Sequence, residues 1–350
     1  MIAPRDGDPA NGFVGGWPGF ALELMYARLS AWHRARALRA PRVRALVPVV
    51  SVGNLAVGGT GKTPCAAWVA RRLGERGRRV VVVARPVGGP VPGAEGDEIA
   101  LLRALAPAAR VVAGRDKAAT VAAWGRRLAD EGGPAAIVVD DAFSHAPLLR
   151  DLDLVLLDAA RPLGNGHLLP YGPLREPPTA LARADVLVLT RADRLDEAAL
   201  AKTEQALQVL APGVPIARAA LEPTGLVGAA DGARVALAPG TPVVCVSGLA
   251  RPHDLGHSAR ALGARVVAEH GFADHHRFTA GEWAKARAVA AREGALLIVS
   301  AKDATRLSPG ERKGVHVLEV AWRVIAGEET IERALDRALG AAGVAEAGGR

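Results

Sequence analysis

The sequence predicts an α/β fold in which a mostly parallel sheet is flanked by helices and a second, smaller α/β domain follows. Short aliphatic runs alternate with helical patterns through the middle of the chain, as in parallel sheets that are covered on both faces. The first of these runs passes through a glycine-rich turn directly into a helix. A second alternating block starts near Thr241, after a stretch that contains several Pro and Gly residues. We therefore expect two α/β domains rather than one.

The individual elements can be assigned in chain order from these patterns. The predicted strands of the first block cover residues 48–52, 79–84, 135–141, 154–158 and 186–190. The predicted helices between them cover residues 63–76, 97–106, 117–130 and 197–210. The second block contains the predicted strands PVVCVSG, RVVAEH, LLIVS and VHVLEV, with helices that include residues 279–293 and 328–339. The expected organisation is a loose N-terminus with an amphipathic helix (1–45), a main domain (46–215), a linker (216–240) and a smaller domain with a C-terminal helix (241–350). This last helix could pack on either domain.

The composition excludes several classes of protein. Half of the residues are apolar and 23% are charged, which excludes a disordered chain. Aromatic residues make up only 4% of the chain, too few for base-stacking surfaces, so we expect no nucleic-acid partner. The two cysteines match no metal-ligand spacing and indicate no disulfide framework, which favours a reducing compartment. No apolar run approaches the roughly 20 residues that span a bilayer, and the N-terminus has no signal-peptide pattern.

An apolar stretch followed by an arginine cluster lies over residues 17–44. The bulky apolar residues of this stretch are Trp17, Phe20, Leu22, Leu24, Met25, Leu29 and Trp32. Combined with a net charge of +8, this pattern is typical of a helix that lies on an anionic membrane surface. An ordinary amphipathic helix packed on the next domain explains the pattern equally well, and the Arg excess also fits a coding bias.

The glycine-rich turn after the first strand predicts a phosphate-binding loop. Backbone amides of such a turn, together with the N-terminus of the helix that follows, can bind a polyphosphate. The residues that we expect to contact the phosphates are Gly58, Gly59, Thr60, Gly61, Lys62 and Thr63. Lys62 is expected to reach the β- and γ-phosphates and the Thr63 hydroxyl to bind Mg²⁺. The first glycine of the usual motif is replaced by Ala56.

An acidic pair at the end of a later strand supports a P-loop NTPase-like main domain. Asp140 and Asp141 follow a run of aliphatic residues, and carboxylates in this position commonly hold Mg²⁺. The segment Thr190-Arg191-Ala192-Asp193 is similar to the base-recognition element of GTPases. A GTPase or a metallochaperone-type NTPase is therefore an alternative, although Arg191 stands in place of the usual Lys.

A longer motif resembles one kinase family. The segment GNGHLLPYGPLREP (residues 164–177) is close to the signature of the tetraacyldisaccharide 4′-kinases, the lipid A 4′-kinases of Gram-negative bacteria. The loop SVGNLAVGGTGKTP is similar to the phosphate loop of that family, and residues 140–145 are similar to its Asp-Asp-Gly-Phe-Gln-His motif. Gly96-Asp97-Glu98, Ala273-Asp274-His275 and Lys302-Asp303 match further family elements. The resemblance extends over roughly residues 46–306.

The resemblance implies a specific reaction and place of action. The γ-phosphate of ATP would be transferred, with Mg²⁺, to the 4′-hydroxyl of a lipid-linked tetraacyldisaccharide 1-phosphate, forming lipid IV-A. The family members are peripheral kinases of the cytoplasmic face of the inner membrane, and their N-terminal helix touches the bilayer. Residues 17–44 are the corresponding segment of this chain, so an anionic inner-membrane surface is the expected partner.

The resemblance also implies roles for individual residues. Asp97 would accept the proton of the sugar hydroxyl, and His275 would orient Asp97; a helix start and a solvated turn are the alternative interpretations of these two residues. Asn54 and Val57 join the nucleotide contacts. Asp140, Asp141 and Glu176 join Thr63 as candidate Mg²⁺ ligands, and the candidate substrate contacts are Arg115, Asn165 and Arg175. Departures from the family pattern at residues 84–88, Ala142 and Ser144 concern rate or acyl-chain preference rather than the reaction class.

Overall fold

A computed structural model of the chain describes residues 16–86 and 96–347. The predicted loose N-terminal residues 1–15, and residues 87–88 of the segment that departs from the family pattern, lie outside the described residues. The chain divides into two units. Unit 1 comprises Met1–Pro86, Leu102–Ala220 and Arg323–Arg350, and unit 2 comprises Val87–Leu101 and Leu221–Trp322.

Helices and strands alternate along most of the chain. The helices are α1 (Gly16–Arg39), α2 (Lys62–Glu75), α3 (Asp97–Leu105), α4 (Lys117–Asp130), α5 (Glu197–Leu210), α6 (His253–Ala261), α7 (Ala280–Glu293), α8 (Ala301–Ala304) and α9 (Glu328–Ala347). The strands are β1 (Val49–Asn54), β2 (Arg79–Ala84), β3 (Arg110–Ala113), β4 (Ala135–Asp140), β5 (Leu152–Asp158), β6 (Val186–Thr190), β7 (Ile216–Gly228), β8 (Arg234–Val235), β9 (Pro242–Ser247), β10 (Arg265–Gly271), β11 (Leu296–Ser300) and β12 (Val315–Ala326). This is the predicted α/β alternation.

The sheet of unit 1 has the strand order β7-β6-β5-β1-β4-β2-β3, and each of these pairs is parallel. Every residue of β1, β4 and β5 is buried, which explains why their sequences are mostly aliphatic and do not alternate between apolar and polar residues. Val52 of β1 pairs with Asp140 of β4 and with Leu154 of β5. The carboxyl ends of these central strands therefore meet at one edge of the sheet, where open α/β sheets bind ligands.

Unit 2 contains the parallel strands β10-β9-β11-β12 and the hairpin-like antiparallel pair β7 and β8. Helix α7 begins with a capping box in which Thr279 and Glu282 bind each other's backbone. Its residues Trp283 and Ala286 are buried against β9 and β11 in the core of this unit.

The division into units differs from the predicted domains at two places. The predicted linker 216–240 contains β7, which starts in unit 1 and ends in unit 2, and β8. Helix α9 follows the smaller domain in sequence but belongs to unit 1, where it packs on β1, β5 and β6. Its apolar face buries Ile331 and Leu335, and Arg72 and Arg76 of α2 form ion pairs with its acidic face.

Helix α1 has one face on unit 1 and one exposed face. Glu23 is buried and accepts a hydrogen bond from the amide of Leu168 at 2.7 Å, and Tyr26 donates to the carbonyl of Arg175 at 3.2 Å. The exposed face carries large apolar side chains, among them Trp17, Leu24, Met25, Leu29 and Trp32. Within the described residues, none of the helices combines the length and apolarity that crossing a bilayer requires.

Candidate active site

The phosphate loop of unit 1 connects β1 to α2. Gly61 adopts a left-handed conformation with φ 82° and provides the N-cap of α2 without a side-chain cap, so the first amides of this helix are not used by a capping side chain. The Cβ of any other residue at Gly53 would lie 2.5 Å from the Cβ of Phe143. Only glycine therefore allows the end of β1 to approach the segment that follows β4 this closely.

Lys62 and Thr63, the first residues of α2, contact the acidic end of β4. The Nζ atom of Lys62 lies 3.7 Å from Oδ1 of Asp141. The hydroxyl of Thr63 lies 3.5 Å from Oδ2 of Asp140, which is 4% exposed. The structure thus places a lysine, a hydroxyl and two carboxylates around the N-terminus of one helix.

Asp141 is held in an unusual backbone conformation by cations. Its φ is 55°, and its amide donates to the carbonyl of Val52 at 2.7 Å. Nη1 of Arg175 lies 2.9 and 3.0 Å from its two carboxylate oxygens, and Nζ of Lys117 donates to its carbonyl at 2.5 Å. Burial alone would raise the pKa of the Asp141 carboxyl, but Lys62, Arg175 and Lys117 together hold this pKa below its ordinary value. Asp141 is therefore a carboxylate at neutral pH.

Lys117 is itself buried at the start of α4. Burial lowers the pKa of its ammonium group, although the carboxylates of Asp141 and Asp140 act in the opposite direction. Arg115, two residues earlier, is exposed and precedes Asp116, the N-cap of α4.

The segment 164–177 is hydrogen-bonded to the phosphate loop. The amide of Val57 donates to the carbonyl of Pro173 at 2.8 Å, and the amide of Arg175 donates to the carbonyl of Leu55 at 3.0 Å. Asn165 closes this segment on itself: its amide group donates to the carbonyl of Tyr171 at 3.0 Å and its oxygen accepts from the amide of His167 at 3.1 Å. The motif that resembles the kinase signature is therefore a structural neighbour of the loop.

Asn54 and Glu176, two further predicted site residues, contact other residues of the protein. The side-chain amide of Asn54 donates to the carbonyl of Ala56 and thereby shapes the loop. Glu176 is buried and forms ion pairs with Arg34 of α1 and, at 2.9 Å, with Arg183. Of the predicted Mg²⁺ ligands, Glu176 is thus paired with two arginines, whereas Thr63 and Asp140 contact each other.

The segment that resembles a GTPase base-recognition element contacts the phosphate loop. Arg191 is buried, with φ 56°. Its Nη1 donates to Oδ2 of Asp158 at 2.9 Å and its Nη2 donates to the carbonyl of Gly59 at 2.7 Å. The hydroxyl of Thr190 donates to the carbonyl of Leu157 at 3.3 Å. Arg191 therefore connects Asp158, at the end of β5, to Gly59 of the phosphate loop.

We expect Arg191→Lys to raise the KM for ATP about tenfold, because the shorter lysine lacks the forked guanidinium that reaches both acceptors, and a charge-assisted hydrogen bond contributes roughly 1.5 kcal/mol. The turnover number should change much less. Steady-state kinetics at varied ATP concentration measure both constants. Arg218→Lys is the matched control, since Arg218 also makes two side-chain contacts, in its case with the carboxylates of Glu197 and Glu204. Equal KM values for ATP in the two variants would show that the contacts of Arg191 with Asp158 and Gly59 do not support ATP binding.

Unit 2 contains the other predicted pair. Asp97 is the first residue of α3, and its Oδ2 lies 3.1 Å from Nδ1 of His275. His275 follows β10 with φ 62°, and its amide donates to the carbonyl of Gly248 at 3.2 Å. Sequence reasoning pairs these residues only through the family resemblance; the structure brings them into contact.

Charged groups on both sides of the His275 ring determine its hydrogen bonding. Nε2 lies 3.3 Å from Nζ of Lys302, which in turn is 2.9 Å from Oδ1 of Asp274. A proton on Nδ1 allows the ring to donate to the Asp97 carboxylate, while Nε2 faces both the Lys302 ammonium and, at 3.6 Å, Oδ2 of Asp274.

Sequence reasoning misses two charged residues of these sites. Lys117 directly follows the Gly-Arg-Asp element that contains Arg115, but its burial and its contact with the Asp141 carbonyl have no signal in the sequence. Arg306 lies three residues after the family element Lys302-Asp303, and its Nη1 is 3.5 Å from Oδ2 of Asp97. Its spacing from Asp303 would suggest only a local pair.

Comparisons with known proteins agree with the geometry. A sequence model of the tetraacyldisaccharide-1-P 4′-kinase family matches residues 17–340. The chain is 44% identical to the tetraacyldisaccharide 4′-kinase of Anaeromyxobacter dehalogenans (strain 2CP-C) over 84% of this chain and 82% of that protein. It is 37% identical to the enzyme of the same name from Gluconacetobacter diazotrophicus over 97% of this chain and 99% of that protein.

A solved structure shows the same fold. LpxK from Aquifex aeolicus, crystallised in complex with ATP, matches with a TM-score of 0.68 and 26% identity over 91% of this chain and 98% of that chain. The predicted P-loop α/β fold is thereby confirmed. Because the family match extends from α1 into α9 and relatives well above 30% identity align over most of both chains, this chain belongs to the tetraacyldisaccharide 4′-kinase family.

Proposed function

We propose that this protein is an ATP-dependent kinase that transfers the γ-phosphate to the 4′-hydroxyl of tetraacyldisaccharide 1-phosphate in lipid A biosynthesis. The observation that best supports a phosphoryl-transfer reaction is the arrangement of Lys62, Thr63 and Asp140 at the N-terminus of α2. The acceptor follows from family membership. The GTPase alternative is not favoured, because Arg191 of its base-recognition element binds Asp158 and the loop.

The oxygen atoms near Lys62 fit a magnesium ion. The Thr63 hydroxyl and the Asp140 carboxylate are 3.5 Å apart, and Mg²⁺ typically takes one or two protein oxygens together with phosphate oxygens and waters. Bound Mg²⁺ would neutralise charge on the β- and γ-phosphates. Thr63 and Asp140 would hold it, with Asp141 held close by Lys117 and Arg175; Glu176, paired with two arginines, is the weakest of the candidate ligands.

The residues of the chain supply positioning and charge to the reaction. Lys62 and the amides of the loop bind the phosphates, since transfer depends mainly on orientation and on stabilisation of the developing charge. Asp97 accepts the proton of the attacking hydroxyl, and His275 keeps the accepting carboxylate in a fixed orientation. Arg115 and Arg175 are proposed as cationic contacts of the phosphorylated acceptor, and Asn165 as the residue that shapes the segment facing it.

The exposed face of α1 supports membrane association. Its apolar side chains are accompanied by exposed arginines, including Arg28, Arg36, Arg39 and Arg42, a combination that favours anionic bilayer surfaces. We place the enzyme at the cytoplasmic face of the inner membrane on this basis. The opposite face of α1, with Glu23 and Tyr26, packs on unit 1, so the two interpretations of the helix are compatible.

The combined variant Met25→Gln, Leu29→Gln and Trp32→Gln should lose at least about tenfold in binding to vesicles that contain phosphatidylglycerol, because each buried apolar side chain contributes roughly 1.5–3 kcal/mol. Gln retains helix propensity. Flotation of the full chain measures the bound fraction. Val209→Gln, at an exposed apolar residue of α5, is the control. Flotation of the triple variant at the wild-type level would show that this face does not bind membranes.

Label transfer tests the proposed function directly. The purified protein is incubated with tetraacyldisaccharide 1-phosphate in detergent, Mg²⁺ and either γ-labelled ATP or γ-labelled GTP, and the lipid is separated by thin-layer chromatography. We expect label in the lipid with ATP. Release of labelled phosphate with a preference for GTP, and no label in the lipid, would support the GTPase alternative instead.

A further inference from the structure

We propose that Arg306 is a positioning residue that holds the Asp97–His275 pair in its working geometry, an inference that rests on the role proposed for this pair. Arg306 follows α8, and its side chain is only 5% exposed. Its Nη1 lies 3.5 Å from Oδ2 of Asp97, the same oxygen that contacts Nδ1 of His275 at 3.1 Å. One carboxylate oxygen is thus shared by an imidazole and a guanidinium from different segments of unit 2.

Arg306 is held in place by a fully buried carboxylate. Asp303, with no exposed surface, forms an ion pair with Nη2 of Arg306 and accepts a hydrogen bond from the hydroxyl of Ser300 at 2.5 Å. The guanidinium also lies over the ring of Phe278, 6.0 Å from its centroid. A planar guanidinium fixed on these sides cannot follow Asp97 if the carboxylate rotates.

Gly248 connects the Asp303–Arg306 pair to His275. Its amide donates to Oδ1 of Asp303 at 3.0 Å, and its carbonyl accepts from the amide of His275 at 3.2 Å and lies 3.4 Å from Nη2 of Arg306. The pair Asp303–Arg306 therefore reaches both partners: Asp97 through its carboxylate and His275 through the backbone that carries it. Local capping of α8 would need Asp303 and Ser300 but no contact with Asp97.

In this arrangement His275 and Arg306 both restrain the Asp97 carboxylate. His275 forms a hydrogen bond with Oδ2 of Asp97, and Arg306 attracts the same oxygen as an ion pair at 3.5 Å, so that the other carboxylate oxygen keeps a constant orientation. Small errors in the position of a catalytic group cost about 100-fold in rate. Loss of Arg306 should therefore reduce turnover through Asp97, with the KM for ATP little changed.

A double-mutant cycle between Arg306 and Asp97 tests the inference, with transfer of label from ATP to the lipid as readout. We expect Arg306→Met to lower kcat about 100-fold in the wild-type background and less than about threefold in the Asp97→Asn background. Arg306→Lys, which retains the charge, should recover part of the loss. Arg287→Met is the matched control, since Arg287 binds two backbone carbonyls elsewhere in unit 2.

A second variant removes the risk that Arg306→Met leaves Asp303 buried without its cation. In Asp303→Asn combined with Arg306→Met, no buried charge is left without a partner, and Asn can still accept a hydrogen bond from the Gly248 amide. The same loss of kcat, with a thermal midpoint near that of the wild type, supports positioning. An active wild-type enzyme in which Arg306 variants lose equal fold in both Asp97 backgrounds, or lose nothing, overturns the inference and leaves the proposed function intact.

Discussion

Replacement of Lys62 by Ala is expected to reduce phosphate transfer about 1,000-fold or more, because in the proposed reaction the Lys62 ammonium stabilises the charge that develops on the phosphates. In the structure Lys62 lies at the first position of α2, 3.7 Å from Asp141. The fold should persist, since Asp141 retains its contacts with Arg175 and Lys117. Label transfer from ATP to the lipid measures the loss.

Lys202→Ala is the matched control for this experiment, because Lys202 is an exposed lysine on α5. It should transfer phosphate at the wild-type rate. A thermal melt of both variants separates loss of chemistry from loss of fold. A Lys62→Ala enzyme that retains a rate near that of the wild type would remove the phosphate loop from the reaction.

Asp97→Asn is expected to lower kcat by about 100-fold to 10,000-fold, the range for loss of a general base, while the KM for ATP stays nearly constant. Asn has the shape of Asp but cannot accept a proton from the sugar hydroxyl. Single-turnover transfer at saturating ATP measures the chemical step. The expected separation of the two constants follows from the proposed role of Asp97, whose carboxylate contacts His275 and Arg306 within unit 2.

The neighbouring residue offers a control for the alternative role of Asp97 as an acidic residue at a helix start. Glu98 also lies in the first turn of α3, and Glu98→Gln removes the same charge from the same helix end. A helix-start role predicts similar, small losses of stability for both variants, roughly 0.3–1 kcal/mol each, and wild-type turnover. If Asp97→Asn turns over like Glu98→Gln, Asp97 is not the base.

Five of the parallel strands of unit 1, namely β1, β2, β4, β5 and β6, are the part of the fold that the sequence predicts best. The predicted boundaries of β2 and β6 agree with the structure, and those of β1, β4 and β5 agree within two residues. The reason is physical: these strands are buried on both faces, so their sequences are mostly aliphatic, and a polar residue near a strand start, Asp153 of β5, is where the predicted boundary is two residues short. The phosphate loop is predictable for a similar reason, since its glycines and Lys62 lie between two such unambiguous elements.

Strand β7 shows where pattern reasoning fails, and helix α9 shows where it leaves the packing undecided. The centre of β7 contains Glu222, Pro223, Thr224 and Gly225, and its burial alternates irregularly, so its composition resembles that of a linker. The packing of α9 on unit 1 rather than on the preceding unit depends on which sheet offers a matching apolar surface. Nothing local in the sequence of α9 carries that information.

Contacts that depend on unusual backbone conformations could be predicted only in part. Asp141, Arg191 and His275 all have positive φ. Asp and His belong to the residue types that enter this region more often, but Arg does not. The contact of Arg191 with Gly59, and that of Arg306 with Asp97, join segments far apart in the chain. Each depends on the tertiary fold, and a single sequence contains no signal for it.

The position of α9 has a consequence for biosynthesis. Ribosomes release the residues of unit 2 before they release this helix, yet the buried side chains Ile331 and Leu335 complete the packing of a unit whose first strand is β1. Domains that are contiguous in sequence can fold as they emerge, N-terminal one first. Here the strands of unit 1 that α9 covers keep an apolar surface exposed in the nascent chain until all of unit 2 and then α9 have been translated.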